Sequence, residues 1–460
     1  MGRGEIADIL WTVCLTVFWF TLAFPFNTVV HELGHALAGW LLGMRVLACG
    51  IGLYSPVLSI RFLGTAFFIA RPFYGGFTLA IDGSISPPRW KMILLTAGGP
   101  AASLLLSLYS FLLLADGYHP FLVGTMIMAG WTFLHAMIPG WFRSDGNPAN
   151  YDGPLMLCFW RDEAHLLSWP GETLASEIAL RDFFRQLNHV QGQVYYTLFT
   201  ALARLELEDV EAARLTLLDP ILQDTRRGRF GRKLEALVRA VVMTADSEQD
   251  ASAALQEAEA ALQGDAYGLA TLELNAALWL KNRGEDARPR LSRAGEHAFT
   301  AGSPHLMNAV EAIRLILDSP PELAERLRAL LSEQGAGQLS PSTALWLTTQ
   351  ATEIFVRRNE PDRALEFHCE SLHRLREIAS TIHDPELRDR YEGRYLGWLN
   401  AATAELGLPP VRTVCAKSIH DQTLSAPQKE PDGLSPLGKV FALVGALVLA
   451  MILVAALMSD

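Results

Sequence analysis

His31-Glu32-Leu33-Gly34-His35 reads His-Glu-x-x-His, and its residue types at that spacing can hold a metal and move a proton. On a helix, residues four apart stand on one face, so His31 and His35 can direct two imidazoles at a single ion. Glu32, one position round, is near enough to hold a water at that ion and accept its proton. The surroundings sharpen the reading. Between residues 9 and 44 these three are the only acidic, basic or imidazole side chains in a long apolar stretch. Ionisable groups within a spanning segment cost roughly 2.5–3.5 kcal/mol each, which packing alone does not explain.

Tetrahedral zinc sites of this kind take a third protein ligand, and the soluble protease patterns do not supply it. A metzincin needs Gly and His three and six positions after the second histidine, where this chain has Ala38 and Leu41. A thermolysin-like site needs a downstream Glu, yet none occurs between Glu32 and Glu163, and the first acid of any kind is Asp82. Two Asp-Gly pairs, Asp145-Gly146 and Asp152-Gly153, follow Pro139. An apolar helical pattern (Leu155, Met156, Leu157, Phe159, Trp160) comes directly after Asp152. A rigid element fixes a ligand better than an open loop, so Asp152 is the preferred third ligand and Asp145 the alternative. His135 offers a further nitrogen, or a histidine hydrogen-bonded between helices.

The elements that must position these residues are largely apolar. Half of the 460 residues are hydrophobic and the mean hydropathy is +0.20, too apolar for an ordinary soluble protein and too charged for an all-membrane one. The first 160 residues carry seven basic and seven acidic side chains and the remainder 31 and 42, so the net charge of −11 lies entirely in the later part. So acidic a region argues against a nucleic-acid partner. Five scattered cysteines without a Cys-x-x-Cys pair suggest neither a disulfide framework nor a thiolate metal site.

Four stretches are long and apolar enough to span a bilayer: Ile9 to about Val30, Met92 to Ala115, Phe121 to Ile138, and Val440 to Met458. Pro25 is expected to kink the first. Basic residues cluster in Arg45 to Lys91 and after Arg143, which places those segments in the cytoplasm and brings the residues after Pro139 to the membrane face that holds the histidines. Val46 to Ile60 and Ala66 to Ala80 are rich in Gly, aromatic and β-branched residues, with turn signals at Ser55-Pro56 and Gly75-Gly76, and predict short strands. An edge strand there can pair with an unwound substrate segment. Gly98-Gly99-Pro100-Ala101-Ala102 predicts a close helix-packing face.

His31-Glu-Leu-Gly-His35, the Ala97-Gly-Gly-Pro-Ala-Ala102 run and the Pro-then-Asp-Gly segment together resemble the site-2 protease family of intramembrane zinc metalloproteases, over residues 9 to about 160. The resemblance implies that His31, His35 and an Asp bind Zn2+ and that Glu32 activates water to cut a substrate's transmembrane helix. The family's Asn-x-x-Pro-x-x-x-x-Asp-Gly motif is altered: Ala136 replaces the Asn, Pro139 matches, and Asp145 and Asp152 come one and eight residues late.

From about Ser168 to Leu406 charged, Ala/Leu-rich helical segments take over. Ala213, Ala251, Ala287, Ala324 and Ala364 recur 38, 36, 37 and 40 residues apart, each after a turn signal. That period suggests stacked helix pairs, an α-solenoid similar to the tetratricopeptide class, whose concave face would hold a partner protein or a substrate tail. Pro409 to Pro436 reads as a flexible linker. The expected fold is therefore mainly α: a polytopic membrane metalloprotease core (1–164) with a β-rich segment (45–90), a cytoplasmic helical-repeat domain (165–408), a linker (409–439) and a last transmembrane helix (440–458). The expected protein is integral to a bilayer, suits a bacterial plasma membrane, and acts on a transmembrane protein substrate. The alternative is an inactive membrane scaffold that gathers partners through the repeats.

Overall fold

The computed structural model describes residues 3–52, 55–71, 75–115, 117, 119–137, 152–161, 170–224, 226, 228–246, 250–333, 337–407 and 410–414. Sixteen α-helices and one four-stranded sheet lie among them. Asp145, most of the expected linker and the stretch 440–458 are outside the described residues.

Three helices, α1 (Arg3–Leu41), α2 (Arg89–Leu114) and α3 (Pro120–Met137), are long and apolar enough to cross a membrane. Their outer faces expose Trp11, Phe18, Leu105, Phe111 and Leu112, a surface that lipid accepts and water does not. Since lipid supplies no hydrophobic drive between helices, small and polar side chains join them. A Cβ on Gly34 would stand 2.3 Å from the Gly98 carbonyl oxygen, so the α1 and α2 backbones touch at that crossing. Asn27 Nδ2 donates to Thr132 Oγ1 at 2.6 Å, and Ser107 Oγ to the Met126 carbonyl at 2.8 Å. The first helix does not stop near Val30. It continues past Pro25 and through the histidine motif to Leu41, because the residues after His35 remain apolar helix formers.

β1 (Arg45–Ile51), β2 (Ser55–Phe62), β3 (Thr65–Arg71) and β4 (Gly76–Ile81) form a sheet in the order β2-β3-β1-β4. β1 pairs parallel with β3, and the other two pairings are antiparallel. Ser55-Pro56, expected to be a turn, instead opens β2; the left-handed residue stands before it, at Gly52 with φ +79°. Proline is tolerated there because β2 is an edge strand. One face of the sheet packs on α1, with Val46 and Cys49 against Ala36. The other face, through Leu47, Ala48 and Phe68, packs on Phe183, Phe184 and Tyr196. Burial on both sides is why β1 reads as a continuous apolar run with no polar alternation.

α4 (Asp152–Arg161) packs on α2 and α3. Behind the sheet follow α5 (Pro170–Gln186), α6 (Val190–Glu206), α7 (Val210–Leu217), α8 (Gly228–Thr244), α9 (Ser252–Ala261), α10 (Ala266–Asn282), α11 (Arg288–Ala301), α12 (Pro304–Asp318), α13 (Leu323–Ser332), α14 (Pro341–Arg357), α15 (Pro361–Thr381) and α16 (Pro385–Ala404). Consecutive helices pair as hairpins. Ala213, Ala251, Ala287, Ala324 and Ala364 are all buried at the start of the second helix of a hairpin, where a larger side chain would force the two helices apart. Leu207 shares a core with Leu345, Leu375 and Tyr391, so the last helices return to the first ones. The beginning of the expected linker is docked: Val411 N donates to Asn400 Oδ1 at 2.9 Å and Arg376 Nε to the Val414 carbonyl at 3.0 Å.

Candidate metal centre

Helical spacing stacks His31 and His35 on the inner face of α1, where both are buried. Their Nε2 atoms are 3.3 Å apart. Asp152, the first residue of α4, brings its carboxylate to them, with Oδ2 3.0 Å from His31 Nε2 and Oδ1 3.5 Å from His35 Nε2. One donor atom from each residue lies within 4.8 Å of the other two, an arrangement that could hold a metal ion. The far nitrogens are already occupied. His31 Nδ1 pairs with Ser103 Oγ at 3.0 Å, and His35 Nδ1 donates to the Leu95 carbonyl at 2.8 Å. Outer-shell bonds of this kind fix ring orientation and leave Nε2 for a metal.

α2 makes room for this. A Cβ on Gly99 would stand 2.2 Å from His35 Nε2 and 2.6 Å from His31 Nε2, so only glycine lets the helix lie over both rings. The Gly-Gly run therefore does two jobs: Gly98 admits the α1 backbone and Gly99 the imidazoles.

Glu32 points to the other side, against β4. Thr78 Oγ1 donates to Glu32 Oε2 at 2.7 Å, and a Cβ on Gly76 would stand 2.3 Å from Glu32 Oε1. Its carboxylate is within electrostatic reach of His31, His35 and Asp152. Burial opposes ionisation of Asp152, yet its hydrogen bonds with the two histidines outweigh that and hold the carboxyl at about 2. Its carboxylate therefore faces the two imidazole Nε2 atoms as an anion, a donor set of the type that metal ions take. Cys49 sits beside Thr78, but burial pushes its thiol up to about 12, which removes it as a nucleophile.

The structure thus brings His31, Glu32, His35 and Asp152 together. His135 lies elsewhere, with its ring 6.5 Å from that of Trp131, and is absent from the ligand group found among the described residues. Thr78, Gly76 and Ser103 escaped the sequence reading. Nothing local marks Thr78 or Ser103, whereas Gly99 stood in a run whose packing role was legible.

No curated protein and no solved structure matches the chain. The sequence profile of peptidase family M50 matches residues 19–332, from the first apolar helix through α13. The chain, an integral membrane protein by its three apolar helices, therefore belongs to peptidase family M50, the site-2 protease family.

Proposed function

We propose that the chain hydrolyses peptide bonds of transmembrane protein substrates at this centre, with Zn2+ held by His31, His35 and Asp152. The observation that carries the reading is the meeting of two Nε2 atoms and a carboxylate next to the Glu32 carboxylate. When bound, zinc polarises the scissile carbonyl and lowers the pKa of a water toward ~7. Glu32 then acts as proton acceptor: Oε2 is held by Thr78, leaving Oε1 to take the proton from the attacking water and return it to the leaving amine.

β4 is an edge strand of the sheet, and it is the strand that touches Glu32. An unwound substrate segment adds to that edge, exposing a peptide bond that a helix would shield. Strand backbone is not tolerated against lipid, which supports a centre near a membrane interface and not at mid-bilayer. The five basic residues from Arg45 to Lys91 make that interface the cytoplasmic one. On this reading the hairpins form a cytoplasmic α-solenoid similar to the tetratricopeptide class, a protein partner or substrate tail lies on its concave face, and residues 440–458 add a fourth span, in a bacterial plasma membrane.

The test is the protein purified in detergent, assayed for zinc and for cleavage of a single-span substrate alongside Glu32→Gln, Asp145→Asn and Asp152→Asn. About one zinc per chain, lost in Asp152→Asn and kept in Asp145→Asn, with cleavage abolished in Glu32→Gln, supports the proposal. A chain that binds no zinc and cuts nothing beside a working control protease is the scaffold.

A further inference from the structure

The connector between β4 and α2 is held from the far side of the molecule. Ile85, in its middle, donates its amide to Asp265 Oδ2 at 2.8 Å across 180 residues. Its side chain packs into the cores shared by α6, α8, α9 and α10. Asp265 is only 5% exposed, and its other oxygen accepts from Gly268 N at 3.1 Å to cap α10. Gly268 is matched to the contact: a Cβ there would stand 2.8 Å from Leu262 and 3.3 Å from Ile85. The connector is also closed on itself, since Asp82, at the end of β4, pairs with Lys91, in the first turn of α2, at 3.1 Å. Ser84 Oγ adds a bond to Asp82 at 3.0 Å.

What this clamp joins makes it informative. Upstream lies β4, which holds Glu32 through Thr78 and Gly76. Downstream lies α2, whose Leu95, Gly99 and Ser103 orient the two histidines. The proton acceptor and the ligand set are thus supported by the two arms of one connector, and the hairpins hold that connector through the Ile85 amide and side chain.

We infer that Ile85 and Asp265 are positioning residues: by holding the connector, the helical hairpins set the placement of β4 against Glu32 and of α2 against the histidines. This rests on the proposed metal-dependent hydrolysis at the same centre. The hairpins are then part of the support of the catalytic centre and not an appendage, and anything that shifts α8–α10 acts on the placement of Glu32.

The experiment uses the full chain in detergent loaded with Co2+, comparing wild type with Ile85→Ala, Ile85→Val and Asp265→Asn. Asp265→Asn is isosteric and sets an amide donor against either the Ile85 or the Gly268 N–H. Three readouts are taken: backbone hydrogen exchange, the cobalt absorption spectrum with its stoichiometry, and kcat with KM. For Ile85→Ala and Asp265→Asn the inference expects exchange in residues 76–81 to rise by about tenfold while α14 and α15 stay protected. It expects the cobalt band to move at unchanged stoichiometry, and kcat to fall by about tenfold with KM held, a cost typical of a small misplacement of catalytic groups. Ile85→Val should restore most of this. Unchanged exchange in residues 76–81 and an unchanged cobalt band in both variants would overturn the inference. So would exchange raised uniformly over all helices, which means general destabilisation. If even wild type neither binds cobalt nor cuts, the proposed function fails, and the exchange comparison still decides whether the clamp exists.

Discussion

Two clusters of buried charge-bearing side chains in this chain have opposite character. In the hairpins, Glu273 is 1% exposed, with Arg290 Nη1 3.0 and 3.1 Å from its two oxygens and Arg293 Nε 3.1 Å from Oε1. With Glu259 Oε2 3.6 Å from Arg290 Nη1, two carboxylates face two guanidiniums, so the cluster is closed and holds α10 to α11. Around His31, His35 and Asp152 two Nε2 atoms and a carboxylate instead converge on one another, and Ser103 Oγ and the Leu95 carbonyl hold the rings from the outer side. A cluster closed by charge pairing contributes to structure, whereas imidazole and carboxylate donors that converge on one point form a group that could hold a metal ion.

The contrast can be broken or sharpened by substitution. Glu32→Gln should lower cleavage by about 10²–10⁴-fold with metal content unchanged, while Glu273→Gln leaves metal content unchanged and weakens the α10–α11 packing. Gly99→Ala should abolish metal binding altogether, because the new methyl would occupy the space of both Nε2 atoms; zinc retained at full stoichiometry would show that α2 can move aside. Replacing both Arg290 and Arg293 by Ala strands the Glu273 charge and should cost about 3 kcal/mol in denaturant unfolding, with zinc content unaltered. Ser103→Ala removes the partner of His31 Nδ1 and should weaken metal affinity by about 10–100-fold without loss of fold.

The smallest effect concerns the seam between the two regions. His189 accepts from Gly192 N at Nδ1 and donates from Nε2 to the Gly64 carbonyl at 3.3 Å, so the neutral ring ties α6 to the β2–β3 turn. Burial, with Arg61 and Arg45 nearby, holds its pKa below the ordinary 6.5. The unfolded chain therefore takes up this proton more readily, and the stability His189 contributes is complete above pH 6.5 and is lost as pH falls below it. Unfolding followed between pH 7.5 and 5 should show a shallower loss in His189→Asn than in wild type.

Several features were legible beforehand because they are local. The histidine pair needs only the helical repeat, and the strands after Arg45 needed only their composition. The alanine period landed on buried hairpin positions because two packed helices meet their neighbours at a fixed interval. Other readings failed where a neighbour decides. Ser55-Pro56 became a strand because it lies at an open edge, and Val411 to Val414 are docked because Asn400 and Glu392 receive their backbone groups.

By itself, then, the amino-acid order determined that two imidazoles and a carboxylate share one apolar helix, since a turn of 3.6 residues fixes that geometry wherever the helix lies. Which aspartate meets them, which strand holds Glu32 and which glycine clears the rings were decided only by the packing of α2, α4 and β4 around that helix. Those contacts join residues 46 to 121 positions apart, and no local rule of helix or strand carries information over that distance.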